Sequence, residues 1–377
     1  MTLLESIDDT IARSLLSTSD GERKAMAEAS FRRMLIIERK RTERTGKPFL
    51  LMLLETGDHQ KDGTALDGVL SVLLSSTRDT DVIGWYNDRT TIGTIFTGIM
   101  VADKHSTLNT ILTRVSTTLG GTLTAAQFSQ LSISFHFFPD DWDHDISGRP
   151  SNPALYPDLS RRENDRRYLL SIKRVMDIAG STLALIMCTP LFFIIALAIK
   201  ASSKGPILFK QQRIGQYGKR FTFLKFRSMH IDNDPSVHKE YVTKLIAGQA
   251  ERQAPSGNGE GVYKLTNDRR ITRVGKFLRR SSLDELPQFF NVLKGDMSLV
   301  GPRPAIPYEL AAYETWHRRR VLEVKPGITG LWQIHGRGRV RFDEMVRLDL
   351  QYASSWSPWL DINILLRTPG AVLRGAY

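Results

Sequence analysis

Two adjacent carboxylates, Asp284 and Glu285, form the part of the sequence best suited to chemistry, and they lie in the stretch RRSSLDELPQ. Ser282 and Glu285 have the spacing of a helix capping box, so one interpretation of the acids is purely structural. A first helical turn also offers backbone N–H donors, and with the cations Arg279 and Arg280 it would hold a phosphoryl group. The stretch therefore predicts either a cap or a nucleophile, Asp284, that carries a transferred group as an acyl phosphate.

Four further basic positions favour phosphate chemistry. In KFRSM, Lys225 and Arg227 share one face of a predicted strand, because side chains alternate with period two. Arg303 lies between two prolines, and such a stiff backbone suits a guanidinium that meets phosphate oxygens. The structural alternatives are a solvated strand edge and a plain proline turn. The Gly-rich stretch KPGITGLWQIHGRGR, with Arg337 near its end, is predicted to bring backbone amides close to a diphosphate.

The sequence offers no metal site of the Cys/His type. It has one cysteine, Cys188, and its histidines show no HxxxH spacing, so an intramolecular disulfide is excluded as well. Mg²⁺ needs only one or two carboxylates plus substrate phosphates, which leaves a magnesium site at Asp284 open. The P-loop, the dinucleotide fingerprint and the serine-hydrolase elbow are absent from the sequence.

Charge is divided unevenly along the chain. Residues 1–150 carry 16 Lys+Arg against 20 Asp+Glu, whereas the remainder carries 36 against 20. A basic surplus of this size fits nucleic acid, anionic lipid headgroups or a phosphate-rich substrate. Base-stacking aromatics and a reading helix do not accompany the cations, so no nucleic-acid partner is expected. The acidic N-terminus lacks a signal-peptide pattern, and we expect the first half in the cytoplasm.

The fold class predicted is α/β, with a small N-terminal sheet domain followed by a mostly helical domain. Apolar alternation over the first 138 residues predicts a βαββαβ order with helices on one face of the sheet. A Pro/Asp-rich and then basic stretch follows. We therefore assign residues 1–145 to the N-terminal domain, 146–170 to a linker and 171–377 to the second domain.

Residues 178–199 form an uncharged run of 22 residues, which is long enough for a membrane helix. Pro190 lies inside the run, and cations flank both of its ends, so the positive-inside rule selects no orientation. These features predict a helix that enters the membrane, breaks at Pro190 and returns to the same side. An ordinary kinked transmembrane helix is the alternative.

Other elements are predicted around the candidate residues. Residues 208–229 read as a β-hairpin, because two strand-like runs flank a Gly-Gln-Tyr-Gly turn. Residues 271–280 have helical apolar spacing with basic residues between, and residues 305–322 are predicted to form a helix that becomes strongly basic at HRRR, residues 317–320. The stretch 353–366 mixes two tryptophans with aliphatic residues, a pattern shared by membrane-interface helices and ordinary buried helices.

Taken in order, these motifs resemble those of the bacterial sugar transferases, the monotopic polyprenyl-phosphate phosphoglycosyl transferases. The resemblance covers roughly residues 170–377. It rests on KRVMDIAGSTLALIMCTP, QQRIGQYGKRFTFLKFRSM, LRRSSLDELPQFFNVLKGDMSLVGPRP and KPGITGLWQIHGRGR. It implies a monotopic membrane domain whose re-entrant helix breaks at Pro190, with Asp284 as the nucleophile and Mg²⁺ beside it. Lys225, Arg227, Arg279 and Arg303 match basic positions of the family's phosphate site.

The function implied by this resemblance is transfer of a sugar 1-phosphate from a UDP-sugar to undecaprenyl phosphate. It would proceed through a covalent aspartyl-phosphosugar at Asp284 with release of UMP, as the first membrane step of exopolysaccharide, O-antigen or other glycoconjugate synthesis. Membrane phospholipids are further expected partners, at the cytosolic face of the bacterial cytoplasmic membrane. The sugar, homo-oligomerisation and the role of Glu285 as base or metal support stay open. The alternative is a membrane-attached basic regulator or scaffold without catalysis.

The N-terminal element order resembles a GGDEF domain of nucleotide cyclases. The hairpin turn that would carry the GGDEF signature reads YNDRT in this chain. The resemblance therefore implies a degenerate domain that has lost cyclase chemistry and serves regulation or assembly.

Overall fold

Helices and sheets both contribute to the fold, which is given by a computed structural model of the chain. The structure describes residues 24–56, 64–99, 104–129, 131–140, 152–231, 236–250, 263, 270–336 and 340–374. The chain divides into two compact units, Met1–Pro139 and Asp140–Tyr377. Arg337 lies outside the described residues.

The described part of the first unit follows the strand and helix order predicted for it. Its sheet has the order β2-β3-β1-β4, and every neighbouring pair of strands is antiparallel. The elements are α1 (Glu28–Thr45), β1 (Phe49–Thr56), α2 (Thr64–Ser76), β2 (Val82–Asn87), β3 (Thr91–Phe96), α3 (Lys104–Thr122), α4 (Ala125–Ser129) and β4 (Leu131–Phe138).

Helices cover both faces of this sheet, so the prediction of a single covered face is wrong. Alternate residues of β1, such as Met52, belong to the core formed with α2 and α3. On the other face Gly93 pairs with Leu53, and the ring of Phe31 from α1 fills the space that a side chain at Gly93 would occupy. The cause is β1 itself, which is central and apolar on both faces and must bury both.

The second unit contains the candidate site and is mostly helical in its described part. Short 3₁₀ turns occur at Pro153–Leu155, Gln216–Gly218, Leu283–Glu285 and Thr315–Arg318. The other elements are α5 (Pro157–Asp165), α6 (Arg167–Ser202), β5 (Leu208–Ile214), β6 (Arg220–Phe226), α7 (Ser236–Ile246), α8 (Arg273–Ser281), α9 (Gln288–Lys294), β7 (Ser298–Val300), α10 (Pro307–Leu310), α11 (Arg319–Glu323), β8 (Gly327–Thr329), α12 (Leu331–Gly336), α13 (Phe342–Ser355) and α14 (Pro358–Arg374).

Helix α6 contains the long apolar run and continues through Pro190 without a break, contrary to the prediction. A proline removes one backbone hydrogen bond and crowds the preceding turn, but it leaves the rest of the ladder intact. The Thr189 hydroxyl donates to Leu185 O at 2.7 Å, one residue before the carbonyl of Ile186 that the proline leaves without its helical donor. In the described part of the chain, α6 is the one helix long and apolar enough to cross a membrane, and 11% of its most apolar window is buried.

Both ends of α6 pack on the same body. Near its start, Asp177 accepts hydrogen bonds at 2.9 Å from the Ser298 hydroxyl and the Leu299 N–H. Near its end, Ile195 and Ile199 are buried in a core cluster beside β6 and α8. The middle of the helix is different, because many of its apolar side chains are exposed. These exposed residues are Leu183, Ile186, Met187, Phe193, Ile194 and Leu197.

The β-hairpin is confirmed, with β5 and β6 antiparallel and Lys225 paired with Phe209. The single helix predicted over 305–322 is wrong, because the chain forms α10, a 3₁₀ turn and α11 instead. Extended backbone at Ile306 and Glu314 begins a new turn at each point.

The two tryptophans of the 353–366 stretch differ in exposure. Trp356 is buried and donates to Asp361 Oδ2 at 3.1 Å, whereas Trp359 is 73% exposed on α14. The preceding helix ends at Ser355, Trp356 has non-helical backbone (ψ 134°), and Pro358 begins the next helix.

Candidate active site

The acidic pair lies in the 3₁₀ turn Leu283–Glu285 that connects α8 to α9. Ser282 ends α8 with left-handed backbone (φ 58°), and its side chain does not cap the turn. The capping box predicted for Ser282 and Glu285 is therefore wrong, because a residue with this backbone ends one helix and does not direct its side chain to the next. Asp284 is buried and Glu285 is half-buried.

One ammonium group joins the two acids. Lys225 Nζ lies 3.0 Å from Glu285 Oε1 and 3.7 Å from Asp284 Oδ2. The exposed fractions of these side chains are 19% for Lys225, 24% for Glu285 and 9% for Asp284, so the cluster is shielded but reaches solvent. In such surroundings the Coulomb attraction between the groups is stronger than in water. Two adjacent anions are thereby held together with one cation.

The hairpin and α9 are joined by an amide clamp that the sequence did not reveal. Asn291 Nδ2 donates to Thr222 O at 2.7 Å, and its Oδ1 accepts from Leu224 N at 3.1 Å. The side chain thus pairs with the edge of β6 as a neighbouring strand would. Lys225 follows Leu224 directly, so the clamp fixes the distance between Lys225 and the acids.

Helix α8 begins against the residues that follow β6. Thr272 caps the helix, since its hydroxyl oxygen accepts from Gly275 N at 2.9 Å. Thr272 N donates to Ser228 O at 3.1 Å, and a Cβ at Gly275 would overlap that carbonyl oxygen. Glycine therefore permits the close approach that brings the end of α8, and Asp284 after it, to the hairpin.

Arg227 holds the end of α6 in this structure. Its guanidinium donates to Lys204 O at 2.6 Å, and to Ser203 O and Ser203 Oγ at 2.9 Å each. Cations near a helix C-terminus satisfy the last carbonyl groups and the helix dipole. Arg227 lies one residue beyond β6, and its N–H still donates to Ile207 O at 2.9 Å, next to the pairing of β5 with β6.

Arg279 and Arg303 are less constrained than Arg227. Arg279 is half-buried in the last turn of α8, and Arg303 is exposed between its two prolines. Neither guanidinium makes an ion pair or a hydrogen bond with residues that the structure describes. Their charges are therefore available, but the described contacts do not join either of them to Asp284. The predicted role of Arg337 stays a prediction, because that residue lies outside the described part.

A buried arginine that the sequence analysis missed lies beside the cluster. Arg213 Cζ lies 5.1 Å from the centre of the Phe223 ring, and Lys225 Nζ lies 5.5 Å from the same centre. Burial, and to a lesser extent repulsion from Arg303, lowers the pKa of Arg213 to about 10. The same two causes lower the pKa of His238. The cluster at Lys225 thus continues into a region of positive charge around Arg213 and Arg303.

Asp284 is also the ligand expected for a magnesium ion. In the part of the chain that the structure describes, no group of three or more His, Cys, Asp or Glu residues converges. Asp284 and Glu285 nevertheless provide an oxygen-only set of donors, and the ammonium of Lys225 shows that a cation is accommodated between them. This fits a hard cation that takes its remaining ligands from substrate phosphates and water.

Comparison with known proteins places the second unit among transferases. The family model described as bacterial sugar transferase matches residues 168–375. The galactosyl transferase CpsE of Streptococcus agalactiae is 44% identical over 207 residues, which are 55% of this chain and 43% of that protein. The undecaprenyl-phosphate galactose phosphotransferase of Salmonella typhimurium is 45% identical over 208 residues, 55% of this chain and 42% of that protein. The match thus spans less than half the length of these two relatives.

A shorter relative is covered almost completely. The exopolysaccharide production protein ExoY of Rhizobium meliloti is 39% identical over 207 residues, 54% of this chain and 88% of that protein. Among solved structures, a DGC protein from Thermotoga maritima is similar, with 19% identity and a TM-score of 0.27. The match covers 31% of this chain and 85% of that protein.

Proposed function

This chain belongs to the bacterial sugar transferase family, and from that premise we propose that it transfers a sugar 1-phosphate from a UDP-sugar to undecaprenyl phosphate. The observation that carries the proposal is the cluster of Asp284, Lys225 and Glu285, because it combines a shielded carboxylate with a cation that can meet a phosphate. The names of three relatives refer to sugar or lipid-carrier transfer.

In the first step, a carboxylate oxygen of Asp284 attacks the phosphorus next to the sugar. The bond between this phosphorus and the bridging oxygen breaks, and UMP leaves with that oxygen and its electron pair. Asp284 then carries the phosphosugar as an acyl phosphate. In the second step an oxygen of the lipid phosphate attacks the same phosphorus, the acyl phosphate bond breaks, and the carboxylate is regenerated. No redox partner is needed.

Positive charge is the main requirement of both steps, because an anion approaches an anion. Lys225 is held beside Asp284 by Glu285 and by the Asn291 clamp, so its ammonium is in place before the substrate binds. Preorganised charge of this kind stabilises a transition state without reorganisation. Arg279 and Arg303 add guanidinium groups that are not already paired within the described residues. Glu285 orients Lys225, and it is also the second carboxylate available as base or metal ligand.

A magnesium ion, where bound, would be held by Asp284 with Glu285 and would neutralise charge on the diphosphate. Lys225 would then share its two carboxylates with the metal. The chain's own contribution is to place both acids on one turn with a cation against them.

The proposed site lies at the cytosolic face of the bacterial cytoplasmic membrane, where α6 would attach the protein without crossing the bilayer. A helix that crosses the bilayer would separate its two ends by about 30 Å of hydrocarbon. In α6, Asp177 and Ile199 both pack on the same body, while six apolar side chains in the middle of the helix are exposed. The exposed side chains of the middle of the helix can therefore lie in lipid while both ends stay packed beside the site. Basic residues add attraction to anionic phospholipids.

The decisive experiment is the fate of a UDP-sugar with the purified full-length protein. UDP-galactose and UDP-glucose come first, since relatives are named for transfer of these sugars. Wild type should release UMP, and intact-protein mass spectrometry without undecaprenyl phosphate should find a phosphosugar adduct. Asp284→Asn should lose both signals. Release of UMP by Asp284→Asn, or no adduct on an active wild type, would contradict the covalent mechanism.

A further inference from the structure

The segment Pro302–Ala305, here called the proline loop, has each of its four carbonyl groups bound by a donor from another element. The two prolines already fix φ at their own positions and restrict the residues before them. The four bonds run from Gly327 N to Pro302 O (2.8 Å), from Arg320 to Arg303 O (3.2 Å), from Arg213 to Pro304 O (2.9 Å) and from Ile214 N to Ala305 O (2.9 Å). The main chain of this loop is therefore fixed from several sides.

Two of the four donors are buried guanidinium groups. Arg320 is 3% exposed, lies 2.7 Å from Asp349 Oδ2 and also donates to the Tyr313 hydroxyl. Arg213 is 5% exposed, and in the described part of the chain it has no carboxylate within ion-pair distance. A buried charge without a counter-ion opposes folding. An apolar side chain would pack at this position without the cost of burying a charge. The presence of Arg213 is therefore better explained by its hydrogen bond to Pro304 O.

The main chain of Arg303 is fixed, whereas its side chain is exposed. Its guanidinium is exposed and makes no ion pair or hydrogen bond with the described residues, although its own carbonyl and both neighbouring ones are bound. A cation on a fixed backbone loses less entropy when it meets an anion than a cation on a mobile loop. The loop therefore has the character of a preorganised anion contact.

The hairpin connects this loop to the acidic pair. Arg213 and Lys225 lie against the same ring, that of Phe223, at 5.1 and 5.5 Å from its centre. Lys225 in turn binds Glu285 at 3.0 Å. Arg213, which binds Pro304 O, and Lys225, which binds the acids, are therefore separated only by the Phe223 ring that both contact.

We propose that Arg213 and Arg320 are positioning residues, which hold the proline loop so that Arg303 meets a phosphate of the nucleotide sugar. The inference rests on the proposed function, which supplies that phosphate. Neither residue needs to touch the substrate. Their effect on turnover passes through Arg303, and this dependence separates positioning from a general contribution to stability.

A double-mutant cycle in the full-length protein tests this dependence by UMP release from the accepted UDP-sugar. Arg213→Met keeps an unbranched side chain against Phe223 but removes the donor to Pro304 O. Arg320→Lys keeps a cation beside Asp349 but removes the fork that reaches Arg303 O. Each should lower kcat/KM for the UDP-sugar by roughly 10- to 100-fold. Combined with Arg303→Ala, each should add less than about threefold to the loss that Arg303→Ala causes alone.

Arg319→Met is the matched control, because Arg319 belongs to the same helix as Arg320 but pairs with Glu323 and makes no bond to the loop. It should retain wild-type kcat/KM. Should Arg213→Met fail to fold, Arg213→Lys is used in its place. Losses that multiply in the double variants, or wild-type kcat/KM in both Arg213 and Arg320 variants, would overturn the positioning role. A wild type that turns over no UDP-sugar would instead refute the proposed function.

Discussion

Replacement of Lys225 by methionine tests how the acidic pair is held. The side chain keeps a similar length, so packing against Phe223 is largely preserved while the charge is lost. Glu285 and Asp284 then remain as adjacent carboxylates, whereas in the wild type Lys225 Nζ lies 3.0 and 3.7 Å from their nearest oxygens. We expect the variant to be both less stable and inactive.

The magnitude of the stability loss follows from distance and exposure. A pair of unit charges about 4 Å apart attracts by about 4 kcal/mol at an effective dielectric constant of 20. Desolvation offsets much of this, and truncating one partner of a buried charge pair costs about 2–5 kcal/mol. Since the Lys225 side chain is 19% exposed, the low end applies, about 2–3 kcal/mol. In a domain of this size, that corresponds to a fall in Tm of roughly 4–12 °C.

Thermal unfolding of the detergent-purified protein measures this change, with Lys210→Met as control because Lys210 is exposed on the neighbouring strand β5. The control should keep the wild-type Tm. Lys225→Met combined with Glu285→Gln should recover part of the loss, since the double variant removes one of the two opposed negative charges. An unchanged Tm in Lys225→Met, or no recovery in the double variant, would refute the view that this ion pair holds the acids together.

Three further predictions concern the surroundings of the site. Gly275→Ala should lower Tm by several degrees, because its Cβ would overlap Ser228 O, whereas Gly68→Ala, which has open space around it, should not. Arg227→Met should speed hydrogen exchange in the last turn of α6, measured by mass spectrometry, because its bonds to Ser203 and Lys204 are lost; unchanged exchange would contradict this capping role. Lowering the pH from 7 to 5 should lower Tm, less so in His317→Gln. Burial lowers the pKa of His317, so below about pH 6.5 the unfolded chain binds more protons and stability falls; an equal fall in the variant would exclude His317 as a cause.

Much of the candidate site could be predicted from the sequence because its residues lie in short, recognisable stretches. The hairpin follows from two apolar runs around a glycine turn, and α8 follows from its apolar spacing. These are local patterns, in which the spacing of apolar residues along the chain determines whether a strand or a helix forms. Asp284 and Lys225 lie 59 positions apart in the chain, and the sequence associates them because both residue types suit phosphate chemistry. The structure brings Lys225 Nζ to 3.7 Å from Asp284 Oδ2.

The parts that could not be predicted depend on partners distant in the chain. Arg320 ends a run of cations that reads as a solvated surface, yet it is buried because Asp349 and Tyr313 face it. Asn291 looks like an ordinary polar residue of a helix until β6 is placed beside it. Pro190 was expected to break its helix, but one missing hydrogen bond does not outweigh the intact turns on either side. For Arg320 and Asn291 the outcome was decided by tertiary contacts that have no local signature.

The packing of α6 at both ends has a consequence for the order in which the protein matures. The helix is synthesised before residues 203–374, yet Arg174 binds Val292 O and Leu293 O, and Asp177 binds residues of β7. When this helix leaves the ribosome, the groups that complete its two ends have not yet been made. Its two ends can therefore pack only after the rest of the domain has been synthesised. A form of the protein shortened to remove this helix would therefore lose contacts that belong to its own core.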